Sequence, residues 1–214
     1  MERSLFDRAL HFAIDAHAGM ARRSAGQPYI LHPLEVAAIV STMSTDEELL
    51  AAAVLHDTVE DTPTTIEDIE ERFGARVAAF VSVDTEDKRE DLPASETWRI
   101  RKEESLEVLA SASRDEKILW LSDKLSNMRS FLCLHRAQGH AFWNGFNQKD
   151  PYQQAWYYRT IRDLLSELRG EAAWQEYAWL VEQVFCDLDG DVGAAGEGNT
   201  AGEVGAAGEG NTDE

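Results

Sequence analysis

Seven apolar side chains in a row, Leu49-Leu50-Ala51-Ala52-Ala53-Val54-Leu55, run directly into His56-Asp57-Thr58-Val59-Glu60-Asp61. A helix that is apolar on every side belongs inside the molecule, and this one carries a histidine and three carboxylates inward with it. An α-helix turns about 100° per residue, so His56 and Glu60 share one face and Asp57 and Asp61 another, about 100° round. All four groups can therefore meet in one pocket. Burying them without partners is costly, which makes a metal ion the natural partner. Taken alone, the hexapeptide also reads as a solvated polar helix end.

The rest of the chain up to about residue 186 carries the same helical period. Leu5, Ala9, Phe12, Ala13 and Ala16 set a first helix near residues 4–18. Gly19 and Gly26-Gln27-Pro28 mark a loop bearing Arg22 and Arg23. Pro33 suits the first turn of a helix running to about Thr42. Thr45 with Glu48 resembles a capping box for the helix that ends in the hexapeptide, and Pro63 stops it. Thr64 or Thr65 starts the next, with Glu67 or Asp68 three residues on, and Gly74 closes it. A short apolar segment, Val77 to Val83, leads into a charged loop from Asp84 to Ala94. Further helices fit 97–111, 115–130, 153–168 and 172–185. Strand-type alternation is nearly absent, so the expected fold is all-α, a single helical domain over residues 1–186.

Residues 187–214 form a second compositional zone. Val192 to Thr200 recurs unchanged as Val204 to Thr212, and the segment is Gly-rich, acidic and without aromatics. Such a stretch cannot bury enough surface to offset its chain entropy, so a disordered, solubilising tail is expected. Two copies without an aspartate ladder are too few for a calcium-binding β-roll.

The formal net charge is −20, and the tail holds eight acids and no base, which leaves 32 acids against 20 bases for the body. That field repels nucleic acid and anionic membranes. A small anionic ligand would need a local basic cluster or a cation. No apolar run reaches the roughly 18–20 residues needed to span a bilayer, and the opening residues read as an amphipathic helix start rather than a signal peptide. Cys133 and Cys186 have neither metal-ligand spacing nor a disulfide pattern. They read as reduced structural thiols, and a cytoplasmic location is expected.

Two further features strengthen the metal reading. His32 precedes a helix-starting proline in Tyr29-Ile30-Leu31-His32-Pro33, and Asp123 interrupts the apolar face Leu119-Trp120-Leu121-Ser122-Asp123-Lys124-Leu125. Singly, His32 could cap or pack a helix, and Asp123 could pair with Lys124 or Arg129. Together with His56 and Asp57 they make two imidazoles and two carboxylates. That mixed set suits Mn²⁺, Fe²⁺, Co²⁺ or Zn²⁺ better than Ca²⁺.

The order His, His-Asp, Asp resembles the HD-domain metal-dependent phosphohydrolases. Tyr29-Ile30-x-His32-Pro33, Leu55-His56-Asp57-x-Val59-Glu60-Asp61-Thr62, Phe73-Gly74-x-x-Val77 and Asp123-Lys124-x-x-Asn127-x-Arg129 narrow the likeness. These words are similar to the hydrolase domain of RelA/SpoT-type proteins of the stringent response, and specifically to the small stand-alone alarmone hydrolases, from about His17 to Arg129. Met20, Arg23 and Ser122 stand where the family often has Gln, Lys and Ala, and none of these changes removes a metal ligand.

The resemblance implies hydrolysis of the 3′-diphosphate of (p)ppGpp to GDP or GTP and pyrophosphate, with Mn²⁺ as the metal and other divalent ions possible. His32, His56, Asp57 and Asp123 would hold the ion. Glu60 and Asp61 would serve as an acid/base pair one turn beyond. A dense polyanion entering an acidic protein needs local cations, and Arg22, Arg23, Lys102 and Lys124 are the candidates. The resemblance sets Arg22 against the guanine, where a planar guanidinium can stack, and Asn127 near the nucleoside. Lys102 reads equally well as a solvated helix residue, Tyr29 either walls or underlies the pocket, and Arg129 reads as structural. Eleven of the 19 aromatic residues fall between 140 and 185, read as core packing, with Trp156 or Tyr157 as candidates for stacking on a base. His11, His17, His135 and His140 have no evident partners and read as structural or surface groups. Two alternatives keep the same site. One is a phosphatase of NADPH or another nucleotide, the other a non-catalytic module that binds alarmones.

Overall fold

The computed structural model describes residues 3–22, 26–84 and 93–189. Arg23, most of the charged loop after Asp84, and the repeated acidic segment lie outside the described residues. The order is α1 (Leu5–Ala16), α2 (Leu31–Val40), α3 (Glu47–Leu55), α4 (Thr58–Asp61), α5 (Ile66–Phe73), α6 (Ala75–Asp84), α7 (Ala94–Ser111), α8 (Arg114–Gln138), α9 (Pro151–Leu164) and α10 (Ala172–Phe185). Short 3₁₀ turns occupy Gly139–Gly145, Ser166–Leu168 and Cys186–Asp189. Among the described residues there is no strand, only an isolated bridge from Ala21 to Pro28 that closes the loop carrying Arg22. The all-α expectation holds.

The α3 helix is the hub. Leu49 and every residue from Ala51 to Leu55 are completely buried, and α1, α2, α6 and α8 all pack against it. Three consecutive alanines keep its girth small, so neighbouring backbones come close. On the far side, α8 packs against α10 and the Gly139–Gly145 turn. There Trp143, Tyr157, Tyr177 and Phe185 are fully buried, which accounts for the aromatic crowding late in the chain as core.

Several local readings needed correction. The apolar helix does not run through the hexapeptide. It stops at Leu55, where Thr58 Oγ donates to the Leu55 carbonyl at 2.6 Å, and the chain turns through His56 and Asp57 before α4. A hydroxyl competing for a helix carbonyl is a recognised way to interrupt the backbone ladder. The N-cap of α3 is Asp46, not Thr45. Its backbone is extended and its carboxylate accepts from the Glu48 and Leu49 amides at 2.9 and 3.4 Å. Val77 to Val83 is helical within α6, with Val77, Ala78, Phe80 and Val81 buried. The α8 helix continues past residue 130 to Gln138, because Phe131 and Leu132 extend its buried face. It ends at Gly139, whose φ of 55° lies in the left-handed region that favours glycine.

The helical body also reaches beyond residue 186. The last 3₁₀ turn brings Leu188 into the core. Both cysteines are exposed free thiols rather than buried ones. No helix of the described residues is long and apolar enough to cross a membrane.

The capping assignment predicts an ordering. Asp46→Ala should lower unfolding free energy in urea by about 1 kcal/mol. Asp46→Asn should retain most of it, and Thr45→Ala should change it by less than about 0.5 kcal/mol.

Candidate metal centre and its cleft

Three helices deliver four groups to one point. His32 is the second residue of α2, His56 and Asp57 form the turn between α3 and α4, and Asp123 lies mid-way along α8. His32 Nε2 stands 3.0 Å from Asp123 Oδ1 and 3.5 Å from Asp57 Oδ2. His56 Nε2 lies 3.2 Å from Asp57 Oδ2 and 3.8 Å from Asp123 Oδ1. His32, His56 and Asp123 are 3, 2 and 4% exposed, so these are groups removed from water. Ligand atoms of His32, His56 and Asp57 lie within 4.8 Å of one another, and Asp123 flanks them.

Hydrogen bonds behind the imidazoles set which nitrogen faces the centre. Ser126 Oγ donates to Glu35 Oε2 at 2.6 Å, so it accepts from His32 Nδ1 at 2.8 Å. Glu35 is in turn held by Arg129, which also grips Glu176 with two nitrogens at 2.7 Å. His56 Nδ1 stands 2.9 Å from the Ala53 carbonyl, which can only accept. Both rings therefore carry hydrogen on Nδ1 and turn the Nε2 lone pair to the centre. His56 Nε2 is buried and has no aligned hydrogen bond among the described residues. A lone pair so placed, beside two carboxylates, fits a divalent cation.

The electrostatics point the same way. Burial raises the Asp57 carboxyl, but His56 and His32 outweigh it and hold Asp57 well below the usual carboxylate range. Burial likewise raises Asp123, while Lys124 and the two imidazoles bring it far down. Burial lowers His56, yet the charges of Asp57 and Asp123 push it well above its ordinary value. The field that draws a proton to His56 is the field that draws a cation to this spot.

The Tyr29 phenol bridges the centre to the rim, 2.6 Å from Asp57 Oδ2 and 2.8 Å from Asp61 Oδ2. Burial, then the charges of Asp57 and Asp61, push it far above a normal phenol. It stays a proton donor. His17 packs on its ring at 4.9 Å between centroids and is kept neutral by burial. Asp123 Oδ1 also accepts from Asn127 Nδ2 at 2.8 Å, and Asn127 Oδ1 accepts from Arg22 at 2.8 Å. Lys124 pairs with Asp123 and lies over the Trp120 ring.

A cleft of about 210 Å³ is lined by Arg22, Tyr29, His32, Asp57, Glu60, Asp61, Lys102, Asp123, Lys124 and Asn127, with Tyr157 and Tyr158 opposite. Of the metal, acid/base and phosphate-binding candidates read from the sequence, all line it except His56, which is buried beside Asp57, and Arg23, which lies outside the described residues. Of the two stacking candidates, Tyr157 lines it and Trp156 does not. A second cleft of about 200 Å³ shares Glu60, Lys102, Tyr157 and Tyr158 and continues past Trp98, Arg101, Trp143 and Phe146. Lys102 is thus a cleft residue, its ammonium 4.8 Å over the Tyr157 ring. Trp156 faces away from both clefts, beneath Arg99 at 3.3 Å and against Trp98. Ser126, Glu35 and His17 were not singled out from sequence, although Ser126 follows Asp123, and Glu35 follows His32, by one helical turn.

A helical bundle that brings His, His-Asp and Asp to one cleft from α2, the α3–α4 turn and α8 defines an architecture suited to holding a divalent cation. Residues 9–143 match the HD domain family, and the chain belongs to that family. It is 42% identical over 124 residues to guanosine-3′,5′-bis(diphosphate) 3′-pyrophosphohydrolase of Aquifex aeolicus, covering 58% of this chain. It is also 42% identical over 123 residues to the enzyme of that name, MESH1, of Danio rerio, covering 56% of this chain and 65% of that one. A Brucella ovis protein named GTP pyrophosphokinase rsh is 38% identical over 129 residues. The matched region spans 17% of the length of the Aquifex and Brucella relatives. Among solved structures, one described as a metazoan ortholog of SpoT that hydrolyses ppGpp superposes with a TM-score of 0.66 at 28% identity. The match covers 88% of this chain and 97% of that one. A Listeria monocytogenes structure gives 0.63 at 35% identity, over 75% of this chain and 98% of that one.

Removing the hydroxyl behind His32 should loosen the metal. Ser126→Ala should weaken the affinity for a divalent cation by about 10- to 100-fold in a calorimetric titration, with the circular dichroism spectrum unchanged.

Proposed function

We propose that this chain is a Mn²⁺-dependent hydrolase of the 3′-diphosphate of (p)ppGpp, acting in the cytoplasm and releasing pyrophosphate and GDP or GTP. One observation carries the reading. Two buried imidazoles with their Nε2 lone pairs turned inward converge with Asp57 and Asp123 on a cleft whose walls also bear Arg22, Lys102 and Lys124. Relatives named for this reaction and a neighbour described as hydrolysing ppGpp support the choice of substrate.

In this reading His32, His56, Asp57 and Asp123 hold the cation. When bound, a divalent cation lowers the pKa of water and polarises a phosphoryl oxygen. Glu60 and Asp61, on the short α4, are the acid/base pair. One takes the proton of the attacking water, and a proton passes to the 3′-oxygen as its bond to phosphorus breaks. Tyr29 positions Asp61 by donating to it and ties it to Asp57. Arg22, Lys102 and Lys124 offset the negative charge of the diphosphates, which lets a polyanion enter an acidic body. Asn127 fixes Arg22 relative to Asp123. The aromatic wall of Tyr157 and the adjoining cleft give the nucleoside an apolar face to lie against. In this reading the hydrolase unit runs to the last turn at Asp189, a little past the boundary at 186 expected from the sequence, and the acidic repeats beyond it are a solubilising appendage.

The test is turnover of ppGpp and of NADPH with Mn²⁺, with the products identified. Pyrophosphate from ppGpp is expected. Orthophosphate from NADPH without pyrophosphate from ppGpp would replace this reading by a nucleotide phosphatase. Binding of ppGpp without turnover of either compound would leave a sensing module. Chelation should abolish turnover and added Mn²⁺ restore it. Asp57→Ala should be inactive, and Glu60→Gln should lower kcat by about 10²- to 10⁴-fold.

A further inference from the structure

A second cluster with similar donor chemistry lies at the other end of α8. His135 sits in its last turn, roughly 18 Å along the helix axis from Asp123. His140 lies in the Gly139–Gly145 turn, and Asp187 in the Cys186–Asp189 turn. One ligand atom from each lies within 4.8 Å of the others. The Asp187 carboxylate faces both rings, with Oδ1 2.9 Å from His140 Nε2 and Oδ2 3.7 Å from His135 Nε2. The two imidazoles are 4.7 Å apart, centre to centre. None of these residues approaches the HD-type centre, and both histidines read from sequence as partnerless, so this arrangement corrects that expectation.

The cluster is built rather than loosely draped. The Gly139–Gly145 turn is anchored by Phe142 and Trp143, both buried and stacked into Phe131 of α8, and Phe142 also contacts the His135 ring. The His140 backbone is thereby held over the end of α8. Its Nδ1 is buried with no hydrogen-bond partner among the described residues, so Nε2 is the nitrogen it offers. On the other side, buried Phe185 and Leu188 bracket Asp187 and hold its turn in place. The carboxylate itself is half exposed, so an ion can reach the gap between it and the rings from solvent. Two imidazoles and one carboxylate, with the remaining positions left to water, suit Zn²⁺, Ni²⁺, Cu²⁺ or Co²⁺, whereas Mn²⁺ stands lowest in affinity for such a site.

We propose that His135, His140 and Asp187 form an accessory site for a borderline divalent cation such as Zn²⁺, which clamps the turn after α10 onto the end of α8. His140 and Asp187 are 47 positions apart, so a shared ion closes a long loop. The site is independent of the reaction proposed above.

Metal stoichiometry decides it. The full-length, tag-free chain is dialysed against Zn²⁺ alone, and bound metal is counted by atomic emission. Two equivalents are expected for the parent protein, one at each centre, and one equivalent for His140→Ala and for Asp187→Asn. Turnover with Mn²⁺ should be unchanged in both variants. Equal amounts of zinc in the parent protein and in Asp187→Asn overturn the proposal, whereas loss of one equivalent in the variant supports it whatever the first centre binds. Should His140→Ala lose its circular dichroism signal, the half-exposed Asp187→Asn decides alone.

Discussion

Everything in this molecule is arranged around the cost of keeping two imidazoles and two carboxylates out of water. Ionisable groups without partners are expelled from a helical core or neutralised there. Here each is tied at its back. Ser126 and the Ala53 carbonyl take the Nδ1 hydrogens, Asn127 and Lys124 hold Asp123, and Tyr29 holds Asp57. What remains unsatisfied is the set of atoms that faces inward, and that residue of unmet bonding fits a divalent cation. The bundle is built so that its front is left wanting a cation.

Rigidity behind the centre comes from a chain of contacts that leaves the site altogether. His32 leans on Ser126, Ser126 on Glu35, and Glu35 on Arg129, which is clamped bidentately by Glu176 of α10. The late helices thus steady a ligand near the start of the chain. The aromatic box of Phe131, Trp143, Tyr158 and Phe185 supports the same end of α8, and its first three members also wall the second cleft. Core packing and site positioning are the same set of contacts seen from two sides. The cluster of His135, His140 and Asp187 lies where those helices end, at the place where an added tie would stiffen this support.

Under the proposed function, the charge of the chain poses a problem that the site solves locally. An acidic body does not attract a polyanionic nucleotide, yet Arg22, Lys102 and Lys124 are gathered from three separate segments into one cleft. Each is held in place by a neighbour. Arg22 is fixed by Asn127, Lys102 lies over Tyr157, and Lys124 lies over Trp120. Stacking a cation on an aromatic face orients it, and Lys124 is further fixed by its ion pair with Asp123.

The helical period was enough to read an all-α fold, and the words around His32, His56-Asp57, Glu60-Asp61 and Asp123 named residues that the fold brings together in one place. Periodicity reports which face of a helix is buried, and a polar group on a buried face is legible wherever it stands. Boundaries that depend on competition for a single carbonyl were not legible, as the stop at Leu55 and the Asp46 cap show. Nor were partnerships between residues far apart in the chain. That Ser126 sets the tautomer of His32, that Tyr29 joins Asp57 to Asp61, that Lys102 faces the cleft while Trp156 does not, and that His135 and His140 meet Asp187 were decided only by tertiary packing. Local propensity acts over one or two turns, whereas these contacts cross between helices whose relative placement follows from how the apolar faces interlock around α3.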